Sequence, residues 1–344
     1  MSNDPNPSRA KPTRSDVATL ANVSGATVSR VLGGRADESI SAKARARVLQ
    51  AARELGYTPN SAAKALRSGR TGLIGFWINL EYSPYRYQVL AEMRRLLART
   101  EFAMAVTDVD EDYAWHHSLD RALRVPVEGV IAFDASTAAH IFAQNSDRLA
   151  PNLPFVSMGA FYAESKSFVG VDLKSGAEDA MDHLFATGRR KIAYVAPDGY
   201  FLTDGDRFAG YRNKMLAFGL ELRMLGIEDV QETRVESIKA VLAANPDVDS
   251  LLCFYDDIAL DAVDALISLG RQPGVDVAIV GFNGQPGIER GICPLSSVRQ
   301  PIEAMCALAL EMLQEQIENP ATPVRHQFLK PELIVRASSG HRQA

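Results

Sequence analysis

The sequence predicts a two-part chain: a small all-α helix-turn-helix head over residues 13–58, a short linker over 59–71, and an α/β body of parallel sheets over 72–340. Three observations predict it. With 344 residues, 47% of them hydrophobic and 23% charged, the chain has a globular composition and is too long for one ordinary core. Residues 1–70 hold 12 Lys or Arg against 5 Asp or Glu, a net of +7, so the total of −5 leaves −12 on the rest. A basic head on an acidic body is the electrostatic footprint of a nucleic-acid-binding module attached to something else. Beyond residue 72, short β-branched apolar runs alternate with helical patterns, as parallel α/β sheets require.

Residues 1–12 lack any apolar period and read as a disordered tail. In TRSD, Thr13 and Asp16 form a capping box, and Val17, Leu20 and Ala21 follow at helical spacing. Asn22 and Val23 make a tight connection. Ser24 can then cap a second helix whose Val28, Val31 and Leu32 face the first, which is a helix-turn-helix. Gly25, Ala26, Thr27, Ser29 and Arg30 are left on the side a major groove could admit. A third helix, residues 41–55, adds Ala44, Val48, Ala51 and Leu55 to the same core and leaves Lys43, Arg45 and Arg47 outside. In GYTPNSAAKALRSGR, Pro59 is a stop, Asn60 an N-cap and Gly69 a C-terminal signal around seven helix-compatible residues. So short a helix is unstable alone and forms only against a partner or in a groove. Its one large apolar residue is Leu66.

In the body, GLIGFWINL, FAMAVTDV, GVIAFDA, PFVSMGAF, KIAYVAP, SLLCFYDD and VAIVGFN read as strands separated by room for crossover helices. Ligands of open α/β sheets sit beyond the carboxyl ends of the strands, here Asn79, Asp134, Gly159, Asp198, Asp256 and Asn283. Strand-end Asp and Asn also serve as turn formers and helix caps. The opening segment has no signal-like apolar stretch and no run reaches the length of a membrane span, which points to the cytoplasm. Cys253, Cys293 and Cys306 lack CxxC spacing and read as buried thiols. His116 and His117 are adjacent, so their rings diverge on a helix, and neither HExxH, GxSxG nor a Lys-Ser/Thr phosphate loop occurs. No metal, cofactor or catalytic residue is assigned, and an enzyme is not expected.

The stretches DVATLANVSGATVSRVL, KARARVLQAARELGYTPNSAAKALRSGRTGLIGF, VDLKSGAEDAMDHLFATGRRKIAYVAP, DRFAGYR, YDDIALDAVDALISLG, VAIVGFNG and PLSSVRQP resemble the LacI family of bacterial transcription regulators, from about Thr13 to Ser339. The resemblance implies that the second helix lies in the major groove. It makes the linker a hinge helix in the minor groove with Leu66 as the wedge. DNA contacts then fall to Thr13, Ser24, Gly25, Ala26, Thr27, Ser29, Arg30, Asn60, Ala63, Lys64, Leu66 and Arg67. The body is implied to be periplasmic-binding-protein-like, with subdomains 72–171 plus 301–328 and 172–300 plus 329–340, and a small-molecule effector in the cleft between them. Arg207 in DRFAGYR matches the family's ligand-contacting arginine, whose fork suits sugar hydroxyls, phosphate or carboxylate.

Three nearby positions depart from the family pattern. Asn283 stands where sugar-responsive members often have aspartate, Tyr255 where an Asn precedes the Asp of the NDxxA motif, and Gly159 where a polar contact is common. The candidate effector set is Asn79, Tyr85, Asp134, Phe161, Arg207, Tyr255, Asp256 and Asn283, with Tyr85, Phe161 and Tyr255 as stacking surfaces. The expected effector is a sugar, sugar acid or phosphorylated sugar. One head covers only a half-site, so the expected working unit is a homodimer on a pseudo-palindromic double-stranded operator, acting as a repressor. The closing HRQA offers no leucine heptad for a tetramer. The rival reading, a solute-binding transport component, shares the body's fold but has no use for residues 13–70.

Overall fold

The computed structural model divides into two compact units, Met1–Thr71 and Gly72–Ala344. It describes residues 12–33, 40–58, 69–80, 83–109, 115–133, 150, 152–159, 165–198 and 206–340. In the first unit, α1 (Arg14–Ala21), α2 (Gly25–Leu32) and α3 (Ala42–Leu55) each begin at a hydroxyl cap. The Thr13 hydroxyl accepts from the Asp16 N–H at 3.3 Å, while the Asp16 carboxylate accepts from the Thr13 N–H at 2.7 Å. Asn22 turns the chain in the left-handed region, at φ 50 and ψ 57, a conformation Asn tolerates better than most residues. Val17, Val28 and Val48, one from each helix, are fully buried and form the centre of the head's core with Ala21, Val31, Ala51 and Ala52. Leu20, expected in that core, is 51% exposed. The contact runs along the 17/21 row with Ala18 beside it, which turns position 20 to the far flank of α1. The linker helix expected around Leu66 lies outside the described residues.

All seven predicted runs contain strands. The first sheet of the body has the order β2-β1-β3-β4-β5-β11 and is parallel throughout: β1 (Leu73–Ile78), β2 (Ala103–Asp108), β3 (Gly129–Phe133), β4 (Phe155–Met158), β5 (Ser167–Val171) and β11 (His326–Leu329). The second has the order β7-β6-β8-β9-β10-β12: β6 (Ile192–Pro197), β7 (Arg223–Ile227), β8 (Ser250–Cys253), β9 (Ala278–Asn283), β10 (Ser296–Arg299) and β12 (Glu332–Ile334), the last antiparallel to β10. Helices α4 (Pro84–Leu97), α5 (Trp115–Leu123) and α10 (Ile302–Glu318) pack with the first sheet. Helices α6 (Leu173–Ala186), α7 (Asp206–Ala217), α8 (Arg234–Ala244) and α9 (Asp256–Ser268) accompany the second. The central strands of both sheets are buried on both faces, hence their continuous apolar runs. Among the described residues no helix is long and apolar enough to cross a membrane.

Strand order fixes where a ligand can bind. The chain passes between the sheets near Asp172, at Gln300–Pro301 and at Lys330–Pro331. A Cβ at Gly176 would lie 2.7 Å from both Pro331 Cγ and Val298 Cγ1, so the first turn of α6 sits hard against the later passages. Each sheet reverses its winding once, between β1 and β3 in the first and between β6 and β8 in the second. Crevices at such reversals, beyond the carboxyl ends of the strands, are the ligand sites of open α/β sheets. They place Asn79 at one reversal, and Asp198 and Phe254–Tyr255 at the other.

Candidate functional site

The head presents a small-residue surface. Along α2, Val28 and Val31 face the core while Ala26, Ser29 and Arg30 are exposed and Gly25 and Thr27 are half-buried. The Ser24 hydroxyl accepts from the Thr27 N–H at 3.1 Å and meets the Thr27 hydroxyl at 2.9 Å, so it serves as the cap of α2. Thr13 is likewise engaged in its capping box. Sequence reasoning missed Arg14. Its Nη1 donates to Ser29 Oγ at 3.2 Å, and its Nε lies 3.4 Å from where a Cβ on Gly25 would be, which adds a cation to the same face. Nothing in linear spacing joins residue 14 to residue 29; only the packing of α1 on α2 does. Asn60, Ala63, Lys64, Leu66 and Arg67 lie outside the described residues.

In the body, four residues called from different motifs, or not called at all, form one polar chain. Asn283 ends β9 at φ 103, in the left-handed region, which aims its carboxamide back between the subdomains. Its Oδ1 accepts from Arg207 Nη2 at 3.3 Å and from Gln300 Nε2 at 2.8 Å. Gln300 Oε1 in turn accepts from the Tyr85 hydroxyl at 2.8 Å. Arg207 belongs to the first turn of α7 and Tyr85 to that of α4, so the chain runs from a helix of the second sheet to a helix of the first through a residue of the second passage. The Arg207 guanidinium carbon lies 4.7 Å from the Phe254 ring centre and 5.2 Å from that of Phe282, distances at which ring faces attract a cation. Asn79 is buried at the end of β1, and its Oδ1 accepts from Arg86 Nη1 at 3.4 Å.

Asp256 and Tyr255 are placed differently from Arg207. The Asp256 carboxylate is fully buried, accepting from the Ser297 hydroxyl at 2.6 Å and the Gln285 N–H at 2.9 Å. Burial raises its pKa to about 7 against the lowering effect of those two donors. Ser297 Oγ also accepts from the Gly284 N–H at 3.0 Å, so Asp256 and Ser297 together hold the turn that follows Asn283. The packing is close: a Cβ on Gly281 would lie 2.3 Å from Asp256 Oδ1. The Tyr255 hydroxyl donates to Asp229, whose other oxygen pairs with Arg234 at 2.9 Å, and Arg234 continues to Asp261 at 2.5 Å. Burial raises the Tyr255 pKa and the neighbouring Asp229 raises it further. Gln300, Arg86 and Asp229 were not called: Gln300 lies within the PLSSVRQP stretch, but no residue spacing there, in helix α4 or around Asp229 ties these side chains to a ligand. Asp134 and Phe161 lie outside the described residues.

Gln300 also lines a cavity of about 560 Å³ with Gln88, Gln285, Arg299, Glu303, Lys330 and Glu332, among others. Its walls combine the turn beyond the end of β9, Gly284 to Pro286, with residues of the second and third passages. Cations and carboxylates alternate around it, and Arg299 and Glu332 already pair at 2.5 Å. Among the described residues Arg207 pairs with no carboxylate and donates to the neutral Asn283, which makes the strand-end cluster the stronger candidate.

Comparison with known proteins agrees with both halves of this geometry. Residues 13–60 match the family of bacterial regulatory proteins, lacI family, and residues 181–339 match the periplasmic binding protein-like domain. The regulator PtxS of Pseudomonas plecoglossicida is 31% identical over 340 residues, covering 96% of each chain. A solved complex of the transcriptional regulator CelR with cellobiose is 27% identical, with a TM-score of 0.67 over 95% of this chain and 99% of that one. The lac repressor dimer bound to operator and the anti-inducer ONPF is 22% identical with a TM-score of 0.78, over 95% of this chain and 99% of that one, a likeness of fold.

Proposed function

This chain belongs to the lacI family of bacterial regulatory proteins and is a DNA-binding transcription regulator, and from that premise we propose that it is a repressor whose α2 face reads an operator half-site and whose body adjusts that binding to a small-molecule effector. The observation that carries the reading is the capped α1–α2 pair with Gly25, Ala26, Ser29, Arg30 and Arg14 on one surface, attached to a body whose two halves are linked through Asn283, Gln300 and Tyr85. Small residues at the start of a recognition helix let the backbone approach the groove, and the arginines supply base and phosphate contacts. The effector class is a sugar, sugar acid or phosphorylated sugar, and CelR with its bound cellobiose supports that class. A homodimer in the cytoplasm on a pseudo-palindromic site is the working form, since one head spans only half of such a site. The protein acts by binding, with no reaction assigned to it.

The test is selection of bound sequences from a randomised duplex pool by the full-length chain. A recovered site with two-fold symmetry is the expected result. Recovery of no common sequence, with binding that only tracks salt, would overturn the regulator reading.

A further inference from the structure

We propose that the cavity of about 560 Å³ at the passages between the sheets is a second ligand site, and that it takes a small zwitterion of the amino-acid class, with one ammonium and one carboxylate on the same molecule. Its volume falls in the range of small-molecule sites, roughly 300 to 1,000 Å³. Of the Arg207 cluster it shares only Gln300, and every residue that lines it is described. One wall is set in advance by the turn after β9. The Gly284 N–H donates to Ser297 Oγ at 3.0 Å, the Gln285 N–H to Asp256 at 2.9 Å and Gln285 Nε2 to Asp257 at 2.9 Å. The stem of Arg299 packs so closely on Gly284 that a Cβ there would lie 2.6 Å from its Cγ. Another part of the wall comes from Gln88 on α4 and Glu303 in the first turn of α10.

Charge selects the ligand. Arg299, Lys330 and Arg336 stand against Glu289, Glu303 and Glu332, so the lining is strongly polar yet neutral overall. Most of these charges are already matched: Arg299 with Glu332 at 2.5 Å, Lys330 with Asp179 at 3.3 Å and Glu289 with Arg290 at 3.3 Å. One charge of each sign remains. Glu303 forms no hydrogen bond or ion pair among the described residues, and the guanidinium of the half-buried Arg336 donates only to the Leu295 carbonyl, at 2.6 Å. Gln88 adds a further unmet acceptor, since its Oε1 is buried with no hydrogen-bond partner. Two acceptors, Glu303 and Gln88, call for an ammonium, and the Arg336 fork calls for a carboxylate. A ligand of one sign would leave one of the two charges unmatched, and a neutral sugar would meet both with weaker dipoles. Gln88 and Glu303 stand on helices that pack with the first sheet, while Arg336 follows the last strand of the second. A ligand that bridges them ties the two halves of the body together.

Calorimetric titration of the full-length protein with each of the standard L-amino acids tests this. The tightest binder is then compared with its N-acetyl derivative, which lacks the ammonium, and with its α-amide, which lacks the carboxylate. Both derivatives should bind at least about tenfold more weakly, as loss of a charge-assisted hydrogen bond implies. Glu303→Gln and Arg336→Gln should each weaken the amino acid by a similar factor, and their thermal unfolding without ligand shows that they are folded. If Arg336→Gln does not fold, Glu303→Gln decides alone. No binding of any amino acid up to about 10 mM, derivatives that bind as tightly as the amino acid, or an affinity unmoved by these variants overturns the inference. An amino acid whose affinity falls in Arg207→Gln instead sits in the strand-end cluster, which overturns it as well. The outcome is independent of the selection of bound DNA, so the regulator reading stands or falls separately.

Discussion

Protonation of Asp256 should set the body's stability against pH. Burial raises this carboxyl from 3.8 to about 7, so between those values the folded chain keeps a proton that the unfolded chain has lost. Stability from a raised acid is complete below the unfolded pKa and is lost as pH rises through the folded one. Within that window the slope is about −1.4 kcal/mol per pH unit, and a shift of roughly three units amounts to about 4 kcal/mol in all. Asp256→Asn cannot ionise, yet its carboxamide oxygen can still accept from the Gln285 N–H. Urea unfolding of parent and variant between about pH 5 and about pH 8 isolates the group, because every other titration cancels in the difference. The parent should lose about 2 to 3 kcal/mol more than the variant over that range. Parallel stability curves would mean that the carboxyl ionises as if exposed, and the account of the turn after Asn283 would fall with it.

Arg30→Ala should cost about 1 to 3 kcal/mol of operator binding if Arg30 makes a bidentate base contact, whereas Arg14→Ala should weaken operator and random DNA alike and lower the salt slope by about 1; fluorescence anisotropy against salt separates the two. Gly281→Ala places a methyl 2.3 Å from Asp256 Oδ1 and should destabilise the body by about 1 to 3 kcal/mol in thermal unfolding, with a displaced Asn283 visible as altered effector affinity. Leu66→Ser, in the linker, should abolish DNA bending and most specific affinity while leaving salt-dependent non-specific binding, read by fluorescence energy transfer across the operator ends.

The parts of the fold legible in the sequence were those whose signal is local. Caps at Thr13 and Ser24 are short-range chemistry, and the two-sided burial of β1, β3, β6, β8 and β9 forces continuous apolar runs. Strands β7, β11 and β12 were not singled out because they lie at or near sheet edges, where one face stays wet and the apolar run disappears. Strand β10 reads SSVR yet is mostly buried; the Ser296 N–H donates to the Ser338 hydroxyl, which donates to the Ile279 carbonyl, and the Ser297 hydroxyl donates to Asp256, pairings no period reveals. The site divides in the same manner. Arg207 and Asn283 came from motifs, but that Asn283 is shared by Arg207 and Gln300, and that Asp256 faces Ser297 rather than the cleft, depends on contacts 17 to 76 residues apart. Strand-end aspartates are also cap and turn residues, and at Asp256 that alternative describes the geometry.

The polar chain also bounds how the regulator can switch. It comprises two neutral hydrogen bonds and one weak charge-assisted one, together roughly 2 to 5 kcal/mol gross. An effector that replaces part of it can therefore deliver the 1 to 3 kcal/mol usual for coupling between sites. Turning a population from about 1:99 to 99:1 takes about 5.5 kcal/mol, more than one such cleft supplies. Two clefts acting on one operator complex reach that figure. Effector titration of a preformed complex between dimer and operator should accordingly be cooperative, with a Hill coefficient above 1 and approaching 2. Tyr85→Phe deletes one link of the chain and should shift the midpoint of that titration without abolishing the cooperativity. A Hill coefficient of about 1, with complete switching at half occupancy, would show that a single cleft suffices and that the energy of the transition lies outside the Tyr85–Gln300–Asn283–Arg207 chain.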